Sequence, residues 1–422
     1  MKFLRSQLLA PWVPPLPLAF GQICFGASWI ALVIFSIQGM PSGLRLLGWL
    51  HLLTLGWVTT IALAMLTHVI PQFTDEHWRN EEFPRISQLV YMLGAAVTIV
   101  GFVSSSLALM RVGGVAVAVG VLMFCAAAAP SLIAAMKSKG RRATIGQAVT
   151  TSVGFLLLTV LMGNLVANVI GPSHPDWLDR ASAAHGMLGI LGWLSVLIMG
   201  VSTRTLQPLT GVEGRRPAFH IIAASGVLVG TLLGVLAVSA QATSLALGSF
   251  ILIFAAALLY AMEVIGVVLR AVVRHRIPQA FMFAGVVCFV AAAGLVLLTF
   301  ADPTYLYPAI YLALIGWIGN ALLAHMHHIA VRVLVTLHLG DEDETRPGSV
   351  LRPVLSTLTF IAYEGAVAVG AAGFFWQDHS LLVAAGIFGE IAFLLMVFHF
   401  VLVNANLRRR ATRPPGVMLI RP

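Results

Sequence analysis

The thirteen histidines offer this chain its richest chemistry, and seven of them lie inside long apolar runs. His51 and His68 bracket HLLTLGWVTTIALAMLTH, and His185 opens HGMLGILGWLSVLIMG. His325, His327 and His328 share ALLAHMHHIAVR, and His399 lies in MVFHFVLV. A neutral imidazole in hydrocarbon is costly unless it is hydrogen-bonded or bound, and it is the usual ligand of haem iron, copper and zinc. The remaining six have less to explain. His77, His174, His275, His338 and His379 fall in loops or helix ends, and His220 opens an apolar run near Arg215 and Arg216.

Other residue types narrow the metal. Cys24, Cys125 and Cys288 stand singly without CxxC spacing, which argues for small core residues rather than thiolate ligands or disulfides. Embedded carboxylates are too few for an oxygen cage, so the choice lies between haem with axial histidine and a histidine-only copper or zinc centre. Helical geometry then sorts the candidates. His325 and His328 share a face, while His327 points about 200° from His325. His51 and His68 are separated by about 25 Å of rise and cannot serve one metal.

By depth, His51 and His185 lie near the start of their runs, and His68, His328 and His399 lie nearer the other end. His51 is the expected axial haem ligand, with a partner among His185, His325 and His327. His68, His328 and His399 are the candidates for a second, inner site holding copper, zinc or a low-spin haem; the alternative is a hydrogen-bonded polar plug. Arg204 either pairs a haem propionate or another anion, or extends to the membrane surface. Glu263, Glu364 and Glu390 sit in apolar runs, as a proton relay or as protonated side chains bonded to backbone.

The elements that must position these groups are membrane spans. Of 422 residues, 59% are hydrophobic and 10% charged, with a mean hydropathy of +0.94. This predicts an all-α integral membrane protein forming a single polytopic domain over residues 1–422. Twelve spans are expected, at 16–38, 46–70, 86–109, 112–135, 147–170, 182–203, 217–240, 245–269, 279–300, 306–331, 353–374 and 380–404. With the N-terminus inside, only Arg45, Arg111 and Arg180 of the 25 Lys and Arg fall outside. Both termini, including the basic tail 405–422, are therefore expected in the cytoplasm, and the net charge of +9 marks topology rather than nucleic-acid binding. The first apolar run lacks a small-residue cleavage site and is read as a span, not a signal peptide. The intervening loops leave no room for a large extracytoplasmic catalytic domain.

One motif recurs. LGW at 55–57, LGW at 191–193 and IGW at 315–317 fall in the second, sixth and tenth spans, each followed eleven residues after the Trp by His68, Arg204 or His328. Recurrence every fourth span suggests four-helix units.

The pattern His51, Gly56, Pro71, Thr74 resembles a signature of the NnrS family, bacterial membrane proteins that bind haem and copper and are linked to nitric-oxide metabolism. Trp49 and Leu52 stand where that family carries a further histidine and an acid. A second stretch, with His185, Gly189, Gly192, Thr203, Arg204, Thr210 and Gly211, is similar to the family's other signature. More broadly, histidines in the second and sixth spans and an HxH in the tenth resemble subunit I of haem-copper oxidases, without the paired histidines of its seventh span. The resemblance implies a protein of the bacterial cytoplasmic membrane that holds haem (b-type), with or without copper. It would act as an oxidoreductase or in detoxification of a diatomic such as nitric oxide or oxygen. Its partners would be the bilayer, an electron donor and a further subunit, with no role for nucleic acid. A di-haem, cytochrome-b-like electron carrier and a haem-free proton-coupled transporter using the three glutamates are the rival readings.

Overall fold

The computed structural model describes residues 15–74, 76, 78–170, 175–212, 217–273, 276–340 and 347–411. His77, His174, His275, Arg215, Arg216 and residues 412–422 of the basic tail lie outside the described residues. Among the described residues there is no strand, and twelve helices are long and apolar enough to cross a membrane. The chain is an all-α integral membrane protein.

The helices are α1 (Pro15–Ile37), α2 (Gly43–His51, Leu52–Thr59 and Thr60–Thr74 in continuous succession), α3 (Glu82–Val103) and α4 (Leu107–Lys137). Next come α5 (Arg141–Val169), α6 (Trp177–Thr210), α7 (Pro217–Ala240) and α8 (Thr243–Val268). The last four are α9 (Ile277–Leu298), α10 (Pro303–Leu339), α11 (Pro353–Trp376) and α12 (His379–Ala411). The second, sixth and tenth outrun their expected ends, passing Pro71 in α2 and Pro208 in α6. These three are the inner helices. The buried share of their most apolar stretches is 83%, 61% and 72%, against 33–56% for the other nine. Neighbouring helices can satisfy the backbone that a proline frees, so helix continues where sequence alone predicts an end.

The repeat is a property of the fold. α3 with α4, α7 with α8 and α11 with α12 form the most extensive pairings, and α12 closes onto α1 as α4 meets α5 and α8 meets α9. Each pair turns at the same kind of corner. Ser105, Gln241 and Gln377 adopt positive φ of 53–55°. The next residue's amide then bonds a carbonyl five residues back: Ser106 to Gly101 at 2.8 Å, Ala242 to Ala237 at 2.9 Å and Asp378 to Gly373 at 2.9 Å. Three units of four helices, each contributing one inner helix (α2, α6 or α10), thus make up the bundle, with the other nine helices around these three.

Each inner helix widens into a π-helical segment that contains the repeated triplet: Leu52–Thr59, Leu188–Ser195 and Leu312–Gly319. The glycine of each triplet faces the preceding helix closely. A Cβ at Gly56 would meet Cys24, one at Gly192 would meet Phe155, and one at Gly316 would meet Cys288. Two tryptophans link the inner helices by bonding the hydroxyl two residues past the next triplet's Trp. Trp193 donates to Thr59 at 3.3 Å, and Trp317 donates to Ser195 at 3.0 Å. The third position of this ring is Gly319, which has no hydroxyl, and the buried indole N–H of Trp57 has no hydrogen-bond partner.

Candidate haem site between the second and sixth helices

Within the half of the bundle where α2, α6 and α10 begin lies a cavity of about 510 Å³, a size that suits a small-molecule or cofactor site. Its wall is chiefly apolar, with Thr54, Thr98, Thr159 and Asn164 among the few polar residues. His51 and His185 both line it. Their ring centres are 6.1 Å apart, and the ring planes differ by 10°.

Backbone carbonyls fix both rings. His51 Nδ1 lies 2.7 Å from Leu47 O, and His185 Nδ1 lies 2.8 Å from Thr159 O. A carbonyl can only accept, so each Nδ1 carries the proton and each Nε2 keeps its lone pair. Neither Nε2 has a hydrogen-bond partner among the described residues. This is the tautomer and anchoring of a metal-ligating histidine, whose second nitrogen is oriented by a carbonyl. Phe102 stacks on His51 at 4.4 Å and limits its rotation. Behind His185 is Gly163, where a Cβ would come within 2.8 Å of Cε1, so only glycine leaves the ring this position.

The 6.1 Å between ring centres is close to what two imidazoles on one metal would require. Two metal–nitrogen bonds of about 2.0–2.1 Å, with about 1.2 Å from each nitrogen to its ring centre, give a centre-to-centre distance of about 6.4 Å. Together the donor pair and the large apolar cavity suit a haem.

The other candidates fall elsewhere. His325 lies on a smaller apolar cavity of about 70 Å³, bounded by α2, α6 and α10. Its Nδ1 bonds Ala321 O at 2.6 Å, so its Nε2 accepts from the Thr205 hydroxyl at 2.8 Å. Both nitrogens are occupied within the core. His327 anchors Nδ1 on Leu323 O at 2.8 Å and packs against Phe281 and His399. His399 Nε2 accepts the backbone N–H of Arg352 at 2.8 Å, at the start of α11, so its other nitrogen must carry the proton. It holds a helix terminus and has no lone pair left for a metal. His68 is buried and His328 half-buried, but no group of three or more His, Cys, Asp or Glu side chains suited to a metal comes together among the described residues. The expected trio of His68, His328 and His399 is therefore not assembled there.

Arg204 is an exposed residue of α6, nineteen positions and about 28 Å beyond His185. It cannot reach a propionate in this cavity. Arg111 of α4 donates to Ala167 O and Asn168 O at 3.2 Å where α5 ends. Glu263 is buried in α8 within electrostatic reach of His220. Glu364 lies in α11 among Cys288, Tyr311 and Tyr363, and one oxygen of Glu390, in α12, is buried without a hydrogen bond.

The sequence singled out His51 and His185, which the structure places on one cavity, but not the carbonyls that hold their rings. Leu47 and Thr159 act through backbone oxygen, which no side-chain pattern records. Gly163 carried a faint signal as the glycine preceding Asn164 in an apolar helix. No family model matches the chain, and no curated protein matches it in sequence.

Proposed function

We propose that the chain is a multi-pass haem protein of the bacterial cytoplasmic membrane, with His51 and His185 as the residues that would hold the haem, and that its work is electron transfer. The observation that carries this reading is the pair of anchored imidazoles, 6.1 Å apart on one apolar cavity, each presenting a lone pair. When bound, the haem would supply a one-electron couple in a low-dielectric setting. His51 and His185 would be the residues that hold the group, each oriented through its Nδ1–H by Leu47 O or Thr159 O. The apolar wall would exclude water, and the electron would come from a donor in the membrane or a partner subunit.

Diatomic chemistry is the second reading. The same cavity extends past the histidine pair to Phe250, Phe289 and Val296 of α8 and α9, leaving apolar space in which nitric oxide or oxygen could dissolve.

Absorption spectra of the purified protein test the proposal. A Soret band with sharp reduced-state bands is expected, accompanied by iron in metal analysis. His51→Ala or His185→Ala should remove or reshape it, whereas His379→Ala at an exposed helix start should not. Copper without iron on the same pair, or a spectrum indifferent to both variants, contradicts the proposal.

A further inference from the structure

Beyond the repeat tryptophans, toward the ends of α2, α6 and α10, these helices bound the smaller cavity of about 70 Å³, which the haem reading does not use. Its lining follows the repeat. Val58, Leu194 and Ile318, each directly after a repeat Trp, lie on its wall. So do Met65, Val201 and His325, each eight positions after that Trp. Equivalent positions of three helices facing one space put the cavity on the axis that the helices surround. The residues lining it are all buried or half-buried. Leu194 also lines the larger cavity of the histidine pair, so the two spaces share this side chain.

The wall offers no hydrogen bond. Among the described residues, His325 is the only polar one lining the cavity. Both of its ring nitrogens are engaged, Nδ1 with Ala321 O at 2.6 Å and Nε2 with the Thr205 hydroxyl at 2.8 Å. A buried water needs about two to four polar partners, and an apolar cavity without them stays dry. Dispersion is then the attraction left, and a void forfeits it until a guest fills the space. The volume sets the size of that guest. The 70 Å³ available exceeds the roughly 10–15 Å³ that one water-sized body requires. It is about half the roughly 150 Å³ of an apolar protein cavity that takes up benzene or xenon.

We propose that this axial cavity is a binding site for a small apolar gas, an uncharged guest of one or two atoms held by dispersion alone. A gas bound there lies against Leu194, the side chain that also borders the larger cavity. The site uses neither His51 nor His185 and requires no haem, so it stands or falls separately from the haem reading.

Xenon is the probe, applied under pressure to crystals of the full-length protein. An anomalous peak is expected inside the cavity, between Val58, Leu194, Ile318 and His325. Two substitutions fill the space from different helices, Ala62→Leu on α2 and Ala321→Leu on α10, with circular dichroism reporting whether each variant folds. Each folded variant should lose this peak and keep any xenon bound in the larger cavity. Wild-type crystals with no xenon at the site, or with ordered water there instead, would overturn the proposal. A peak that persists in the folded filling variants would overturn it as well.

Discussion

At the scale of single residues, the fate of the second nitrogen separates His51 and His185 from His325. His51, His185 and His325 all anchor Nδ1 on a backbone carbonyl. Only His325 also receives a hydroxyl, from Thr205. Thr205→Val should therefore leave a buried imidazole nitrogen without its donor, at a cost of about 1–3 kcal/mol. A lower thermal midpoint with an unchanged haem spectrum is the expected result, and a changed spectrum would move the site to His325. Gly163→Ala is the opposite case. The added methyl would crowd His185 Cε1 at 2.8 Å, so the spectrum should shift while the helical content holds. None of these distinctions was legible in the sequence, where all three histidines look alike.

At the scale of elements, the π segments explain why tyrosines from outer helices reach into the centre. A widened turn disturbs the regular i→i−4 ladder and leaves carbonyls for side chains to satisfy. Leu55 O and Ile315 O, both two residues before a repeat Trp, accept from Tyr91 at 2.9 Å and Tyr363 at 2.8 Å. Leu55 O also accepts from Thr60 at 2.8 Å, whereas Asn320, three residues after Trp317, turns to Gly316 O. Tyr363→Phe should accordingly destabilise the protein more than Tyr91→Phe, by about 1 kcal/mol or more, because only the former strips Ile315 O of its side-chain donor. Thermal unfolding of both variants in the same detergent checks the order. The triplets announced related elements, because a glycine beside a tryptophan at fixed spacing survives as sequence. The π geometry did not announce itself, since it depends on partners contributed by α3 and α11.

For the whole molecule, hydropathy alone located twelve spans, because the bilayer demands long apolar helices whatever their packing. The arrangement into three units depended on helix-to-helix contacts that composition does not encode. It is visible instead in the shared corners at Ser105, Gln241 and Gln377, none of them a glycine that would have marked a left-handed turn. The distribution of Lys and Arg predicts that both ends of the twelve-span bundle face the cytoplasm. A reporter joined after Pro422 should be active only if it is a cytoplasmic type, and activity of a periplasmic reporter would reverse the orientation.

With that orientation, the His51–His185 cavity occupies the outer half of the bundle, on the side where α2, α6 and α10 begin. An electron donor would then approach from within the membrane or from outside it. The most direct test of the account is electron paramagnetic resonance of the oxidised protein, run with His51→Ala and His185→Ala alongside. Two imidazoles on one iron predict a low-spin signal in the wild type, lost or converted to high spin in each variant. A low-spin signal that survives both substitutions, or no haem signal in a protein that is folded and iron-replete, would contradict it.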